Sequence, residues 1–270
     1  MLVGISLNRS GVEKTDDISI MTCNIGDIEG GNPLGSEQVA EFIHDCGMSD
    51  VLLLQEVRGE KEAAYLSNLL NRPWFVFLPD FDSPNMGIAI LSRWPVLNHD
   101  SLYFNDSQRG AGAIAAEIHI KGVPLLVVNL HLDRYRGVVL GNDRVSVFRD
   151  QVIQFVKKEM MEESIRSKSI RELLNWLDKK NSAHVVLGGD FNSIPFSRTI
   201  RLISPWFDDL LWPSLDYFKG TYTKLDFPIF PRIDFLFVST NIVRKSARII
   251  QKSPGDHYPI WAVIQVPAGG

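Results

Sequence analysis

Short runs rich in β-branched and other apolar residues recur along this chain, and they leave few architectures open. They cover 18–23, 51–54, 74–78, 87–91, 113–120, 124–130, 183–187, 233–238 and 260–266. Several are apolar almost without a break, as expected of strands covered on both faces. Helical patterns lie between them. Ser36 is the expected N-cap of a helix over 37–46, and 60–70 spaces its apolar residues by three and four. A longer helical region runs over 142–180, with one stripe at Val145, Phe148, Val152, Phe155 and Val156 and another at Leu173, Leu174 and Leu177. A break is expected within 164–169. Strands and helices alternating throughout predict a layered α/β fold with helices outside the sheets.

Composition narrows the class. Nearly half of the 270 residues are apolar (45%) and 22% are charged, which excludes a disordered chain and permits a large core. No repeat or Pro/Gly/Ser linker divides it, so 1–270 is expected to be a single domain. The formal charge of −4 argues against a protein that grips duplex DNA through a basic excess. It leaves open an enzyme that holds a few phosphates through a metal and some arginines. Cys23 and Cys46 have neither zinc spacing nor a disulfide framework, and Cys23 reads as a core residue. With no signal-peptide pattern and no apolar run near the roughly 20 residues that span a bilayer, the expected location is cytoplasmic, with no transmembrane segment.

Polar residues able to do chemistry stand where the apolar runs end. Asn24 follows 18–23, Glu56 follows 51–54, His131 closes 124–130 and Asp190 follows 183–187. Rigid strand ends are where loops converge polar groups on one pocket. Hydrolysing a phosphoester calls for such groups, because a water must be deprotonated, phosphate charge neutralised and an alkoxide stabilised. Hard oxygen ligands and Mg²⁺ suit the charge problem. Neither a zinc-type H-E-x-x-H helix nor a nucleotide-binding P-loop is present.

Each residue also has a plainer reading. Glu56 is either a metal ligand or a strand-end glutamate in a salt bridge, although burial beside Leu54 is costly unless it is paired. In Gly188-Gly189-Asp190-Phe191-Asn192, the glycines let the backbone come close to a ligand. If the chain there is extended, Asp190 and Asn192 face one side, one orienting water and the other donating to phosphate. The alternative is an Asx turn. His257 has two candidate carboxylate orienters, Asp256 and Asp234, and spacing does not choose between them.

Taken in order, these segments resemble the endonuclease/exonuclease/phosphatase superfamily, the DNase I-like fold. The resemblance is carried by Thr22-Cys23-Asn24-Ile25, Leu54-Gln55-Glu56-Val57, Gly87-Ile88-Ala89-Ile90-Leu91-Ser92-Arg93, Arg109-Gly110, Asn129-Leu130-His131-Leu132, Gly189-Asp190-Phe191-Asn192, Arg232-Ile233-Asp234-Phe235 and Asp256-His257-Tyr258-Pro259. It implies a four-layer α/β/β/α sandwich of two mixed β-sheets with outer helices. It also implies Mg²⁺, or Mn²⁺, held chiefly by Glu56 with Asn24 and Asp256. His257 is implied to act with Asp234, His131 to bind or protonate the scissile phosphate, Asp190 to face the water or leaving group, and Asn192 to bind phosphate. Arg109 and Thr221 are implied substrate contacts.

The chain departs from the family pattern in places. Cys23 stands where an aromatic residue is usual, and Gly255 replaces the serine of a Ser-Asp-His run. The acidic residue expected before the 87–93 strand has only Asp80 and Asp82 as poorly placed candidates. The region between His131 and Asp190 is long, and neither Arg149 nor Arg166 is assigned to the site.

The leading expectation is a Mg²⁺-dependent phosphodiesterase acting as a nuclease (endonuclease or exonuclease) on DNA. Histidine rather than tyrosine at 131 favours the DNase-like and sphingomyelinase-like branches over abasic-site repair. Without a long basic loop, recognition is expected at ends, damaged sites or single strands. The alternative substrate is a phospholipid, inositol phosphate or other small phosphoester. A lipid-directed enzyme should expose rings in the stretch holding Trp206, Phe207, Trp212, Phe218, Tyr222, Phe227 and Phe230, whereas the plainer expectation sends most of them to the core. A non-catalytic binding module on the same fold should have lost site residues. No protein partner can be inferred.

Overall fold

The computed structural model describes residues 17–26, 34–107, 111–134, 157, 159–223 and 231–267. Two six-stranded mixed sheets form its centre. The first has the order β11-β12-β1-β2-β4-β3, from Val243–Ile249, Ile260–Gln265, Ile18–Asn24, Val51–Val57, Gly87–Ser92 and Trp74–Pro79. The second has the order β5-β6-β7-β8-β10-β9, from Val96–Tyr103, Gly112–Ile120, Val123–His131, Val185–Asp190, Asp234–Ser239 and Phe207–Asp209.

Alternation along the central strands explains the layers. Ile18, Ile20, Val51 and Leu53 meet Ile114, Val127, Val186 and Leu236 between the sheets. The intervening residues Met21, Cys23, Leu52 and Leu54 face outward and pack against Val39, Ile43, Ala63 and Leu66. Those belong to helices α1 (Ser36–Cys46) and α2 (Gly59–Leu69). On the other side Val128, Leu130 and Leu187 pack against Ile170, Leu173 and Leu177 of α3 (Ile165–Asp178) and Ile200 and Ile203 of α4 (Arg198–Ile203). Two-sided burial is why these strands are apolar throughout, at about 1.5–3 kcal/mol per fully buried large side chain. The expected four-layer sandwich is the observed one.

Some boundaries differ from the sequence reading. Gly35, not Ser36, is the N-cap of α1, and the Ser36 hydroxyl instead donates to Glu62 at 2.9 Å. The break in the long helical region falls at 162–164, ahead of the expected place, because Ser164 caps α3 by accepting from the Ser167 N–H. The apolar stripe over 145–156 lies outside the described residues. Edge strands β5, β9 and β11 were not expected. No helix among the described residues is long and apolar enough to cross a membrane.

Gly189 sits at φ 140°, where a Cβ would overlap the Leu130 carbonyl oxygen of the neighbouring strand. Gly189→Ala is therefore expected to lower stability by about 3 kcal/mol or more, combining backbone strain with overpacking. An unchanged unfolding midpoint in urea would refute this.

Candidate active site

Chain direction gathers the site. β1 and β2 run parallel, as do β7 and β8, so the C-terminal ends of each pair share one sheet edge. β12 and β10 run antiparallel to their neighbours β1 and β8, so their N-terminal ends arrive at the same edges. Asn24, Glu56, His131 and Asp190 stand at or near the first set of ends; Asp234 and Asp256-His257 stand at or just before the second. Across the second sheet His131 is level with Asp190, and Asp190 with Asp234.

Glu56 reaches the cleft through a β-bulge. In β2, Leu53 and Gln55 face the inter-sheet space while Leu54 and Val57 face α1 and α2. The ladder to β4 slips between Leu54 and Val57, and Glu56 is the additional residue, at φ 58°. Bulges re-aim side chains in this way, and a non-glycine residue held there stores about 1–3 kcal/mol of strain. The surroundings hold it in place. Asn129 of β7 donates across the sheets to the carbonyls of Leu54 (2.9 Å) and Ala89 (2.8 Å), and its amide oxygen accepts from Gln55 at 2.7 Å. Gln55 also donates to Thr22 at 3.2 Å.

Asn129 and Gln55 belong to the recognised motifs, but sequence reasoning gave neither a role. Asn129→Leu would strip the Leu54 and Ala89 carbonyls of this donor, at about 1–3 kcal/mol each, while Gln55 keeps Thr22 and the Leu53 carbonyl. The variant is expected to unfold several kcal/mol more easily in a denaturant titration. Wild-type stability would show that this network does not hold the bulge.

Asp190 is the hub. It is 1% exposed, and its Oδ2 lies 3.2 Å from Asn24 Nδ2, 3.5 Å from His131 Nε2 and 3.8 Å from His257 Nε2. Its Oδ1 accepts from the Asn192 N–H at 2.9 Å, so the Asx turn and the site-facing carboxylate coexist on different oxygens. Burial, reinforced by Asp234, raises the Asp190 pKa above the ordinary carboxylate range.

Geometry decides the orienter of His257. Its Nδ1 bonds Asp234 Oδ2 at 2.9 Å, whereas Asp256 Oδ1 lies 3.8 Å from Nε2. Burial by itself would lower the imidazole pKa, but Asp234, Asp190 and Asp256 outweigh it and push it up to about 10. Ligand atoms of Asp190, Asp234 and His257 all lie within 4.8 Å of one another, a spacing that a metal ion can bridge.

Other expected residues are placed differently. Asn192 is not on an extended strand, because the chain turns at φ 47° there, and its side-chain amide donates to the Leu132 carbonyl at 2.8 Å. Thr221 is fully buried, and its hydroxyl accepts from the N–H groups of Ile233 (3.0 Å) and Asp234 (3.1 Å). It anchors the start of β10 rather than facing the cleft. Arg109 lies outside the described residues, as does Arg149.

Arg166 is buried behind the site on α3. It bonds Ser193, beside Asn192, at 3.1 Å and the Asp133 carbonyl at 3.3 Å, and it pairs with Glu159. Asp80 and Asp82, poorly placed by sequence spacing, line a cleft of about 290 Å³ together with Glu56, His131 and Arg134. Arg134 was missed. The only sequence signal for it is a charged pair, Asp133-Arg134, immediately after a buried strand. Of the described rings in the aromatic stretch, Trp206, Trp212 and Phe218 are exposed, Tyr222 is half-buried beside His257 and Phe207 alone is buried, against the expectation of core; Phe227 and Phe230 lie outside the described residues.

A sequence model of the endonuclease/exonuclease/phosphatase family matches residues 21–257. Among solved structures, a member of that family from Bacteroides thetaiotaomicron superposes with a TM-score of 0.72 at 16% identity, covering 95% of this chain and 100% of the other. Zebrafish (D. rerio) TDP2 with a single-strand DNA product gives a TM-score of 0.69 at 15% identity, covering 92% and 99%. A mannosyl-6-phosphatase of B. thetaiotaomicron gives 0.68 at 16%, covering 92% and 99%. At these identities the structural likeness shows the fold. No curated protein matches the chain in sequence.

Proposed function

Since the chain belongs to the endonuclease/exonuclease/phosphatase family and has its phosphoesterase fold, we propose that it hydrolyses phosphodiesters with a divalent metal, acting as a nuclease on DNA ends or single strands. The buried His257–Asp234 pair facing the Asp190 carboxylate carries this reading. With Nδ1 bound to Asp234, the imidazolium of His257 can direct its Nε2 proton at a non-bridging phosphate oxygen. Asp190, whose pKa burial has raised, suits the acceptance of a proton from attacking water. His131, on another side of the same carboxylate, is placed to protonate the leaving alkoxide. Asn192 has a second amide hydrogen for phosphate once Leu132 has taken one.

The donor set fits a metal. Glu56, Asp190, Asp234 and Asp256 are all buried, and Asp234 Oδ1 has no hydrogen-bond partner. Carboxylates in such excess over nearby cations favour a divalent ion. Glu56 and Asp256 are the residues we assign to it, as Mg²⁺ or Mn²⁺, with Asn24 joining them once its amide turns over, since its Nδ2 now faces Glu56 and its oxygen accepts from the Gly26 N–H. Asp190, Asp234 and His257 form the other candidate group, but Nδ1 is committed to Asp234, and Mg²⁺ prefers oxygen ligands. When bound, the ion neutralises charge on the phosphoryl oxygens.

The exposed Trp206, Trp212 and Phe218 do not line the cleft, so the choice of substrate leans on the likeness to TDP2 with its single-strand DNA product. Bases of unpaired DNA are the first reading and a phospholipid the second. Purified protein with Mg²⁺ or Mn²⁺ should cleave single-stranded or nicked plasmid DNA in preference to RNA, phospholipid vesicles and sugar phosphates. Turnover confined to lipid or sugar phosphate would overturn the nuclease assignment; no metal-stimulated turnover of any of them would overturn the enzyme.

A further inference from the structure

Glu56, the carboxylate assigned to the metal, already carries a cation of the protein's own. Arg134 Nη2 donates to Glu56 Oε1, the same oxygen that accepts from Asn24 at 3.2 Å. Glu56 is 4% exposed at its side chain and Arg134 26%, so the pair sits at the inner wall of the cleft with the guanidinium on the solvent side. Burial lowers the guanidinium's pKa, but Glu56, Asp190 and Asp256 together raise it above the ordinary value. Among the described residues, Arg134 is thus a guanidinium whose charge acts on three of the carboxylates gathered here. Arg166 and Arg232 are committed elsewhere, to Glu159 and to Asp209.

We propose that Arg134 competes with the divalent metal for Glu56 and, once displaced, binds the phosphoryl group of the substrate. This rests on the reading of Glu56 as the metal-holding carboxylate. Two cations cannot share one buried carboxylate oxygen without strong repulsion, so a metal on Glu56 Oε1 must turn the guanidinium away. Arg134 stands three residues beyond His131 and lines the same cleft, so the space open to it is the space a phosphate would fill. A guanidinium is also the side chain best shaped for a phosphate's paired oxygens. The coupling has a fixed sign: metal-free protein is held with its phosphate-binding arginine neutralised, and metal loading releases it. Arg134 then selects for the loaded enzyme at the substrate-binding step.

Calorimetric titration of the full chain with Mn²⁺, and then with inorganic phosphate at saturating Mn²⁺, tests this. Arg134→Gln removes the competing charge and should bind Mn²⁺ at least about tenfold more tightly than wild type, the scale of one lost charge-assisted hydrogen bond. Its affinity for phosphate should fall by roughly the same factor. Arg134→Lys keeps the charge and should stay near wild type for Mn²⁺ while losing part of the phosphate affinity.

Mn²⁺ affinity that is equal or weaker in Arg134→Gln, with wild type still binding the ion, would overturn the competition and leave the metal assignment intact. Unchanged phosphate affinity would overturn the substrate role. Absence of Mn²⁺ binding to wild type, or binding that survives Glu56→Gln, would overturn both the inference and the assignment of Glu56. Circular dichroism and the melting temperature of each metal-free variant establish that it is folded before titration.

Discussion

Replacing His257 with alanine is expected to reduce turnover by roughly 10²–10⁴-fold, the range ascribed to a positioned acid–base group. The imidazole is buried, 2.9 Å from Asp234, with its other nitrogen 3.8 Å from both Asp190 and Asp256. Asp234→Asn should reproduce much of the loss while keeping the ring nearly in place, because an amide can accept from Nδ1 but brings no charge to stabilise the imidazolium.

A companion measurement separates chemistry from folding. The His257 pKa rises from 6.5 to about 10 in the folded chain, so its contribution to stability is complete below about pH 6.5 and is lost as pH climbs toward about 10. Metal-free wild type should therefore lose stability across that alkaline window, and His257→Ala should show a flatter profile there. Activity of the alanine variant within threefold of wild type on the substrate found above would remove His257 from the mechanism.

Glu56→Gln is expected to cost turnover about 10²–10³-fold or more, the equivalent of several kcal/mol of electrostatic stabilisation, and to abolish the response to added Mg²⁺ or Mn²⁺. The substitution is close to isosteric, and the bulge that carries it is held by Asn129 and Gln55 rather than by the carboxylate. The fold should survive. His131, Arg134 and Asn24 hold the Glu56 pKa below its ordinary value against the upward push of burial, so the carboxylate is ionised and ready for a cation at neutral pH. A Glu56→Gln enzyme with wild-type activity and an unchanged metal requirement would mean that the metal lies elsewhere, with Asp190, Asp234 and His257 the next place to look.

The amino-acid sequence by itself determined the sandwich and singled out most of the polar residues gathered at its strand ends. Strands such as Val51–Val57 and Gly112–Ile120 are covered on both faces over most of their length, and that burial leaves unbroken apolar stretches over 51–54 and 113–116. Trp74–Pro79, at a sheet edge, was still legible because 74–78 is apolar throughout, although only Val76 and Leu78 are buried. The missed strands are also at sheet edges. Val96–Tyr103 and Val243–Ile249 are mostly exposed, so solvent accepts polar residues there and erases the pattern. Asn24, His131 and Asp190 stood out because a polar residue at the end of a buried run needs a reason.

What only the tertiary structure decided follows from contacts between segments far apart in the chain. Asp234, not Asp256, meets Nδ1 of His257, because β10 and the segment before β12 bring their starts together; spacing alone does not distinguish the two carboxylates, and only the family resemblance pointed to Asp234. Thr221 faces backbone N–H groups, since the chain returns on itself beside Ile233. The bulge that turns Glu56 into the cleft depends on Asn129, 73 positions away on the other sheet, and Arg134 becomes meaningful only where it meets Glu56, 78 positions away. Local sequence records what a residue must avoid, such as water or a Cβ. It does not record which distant charge a residue will meet, because that is set by the register and direction of strands.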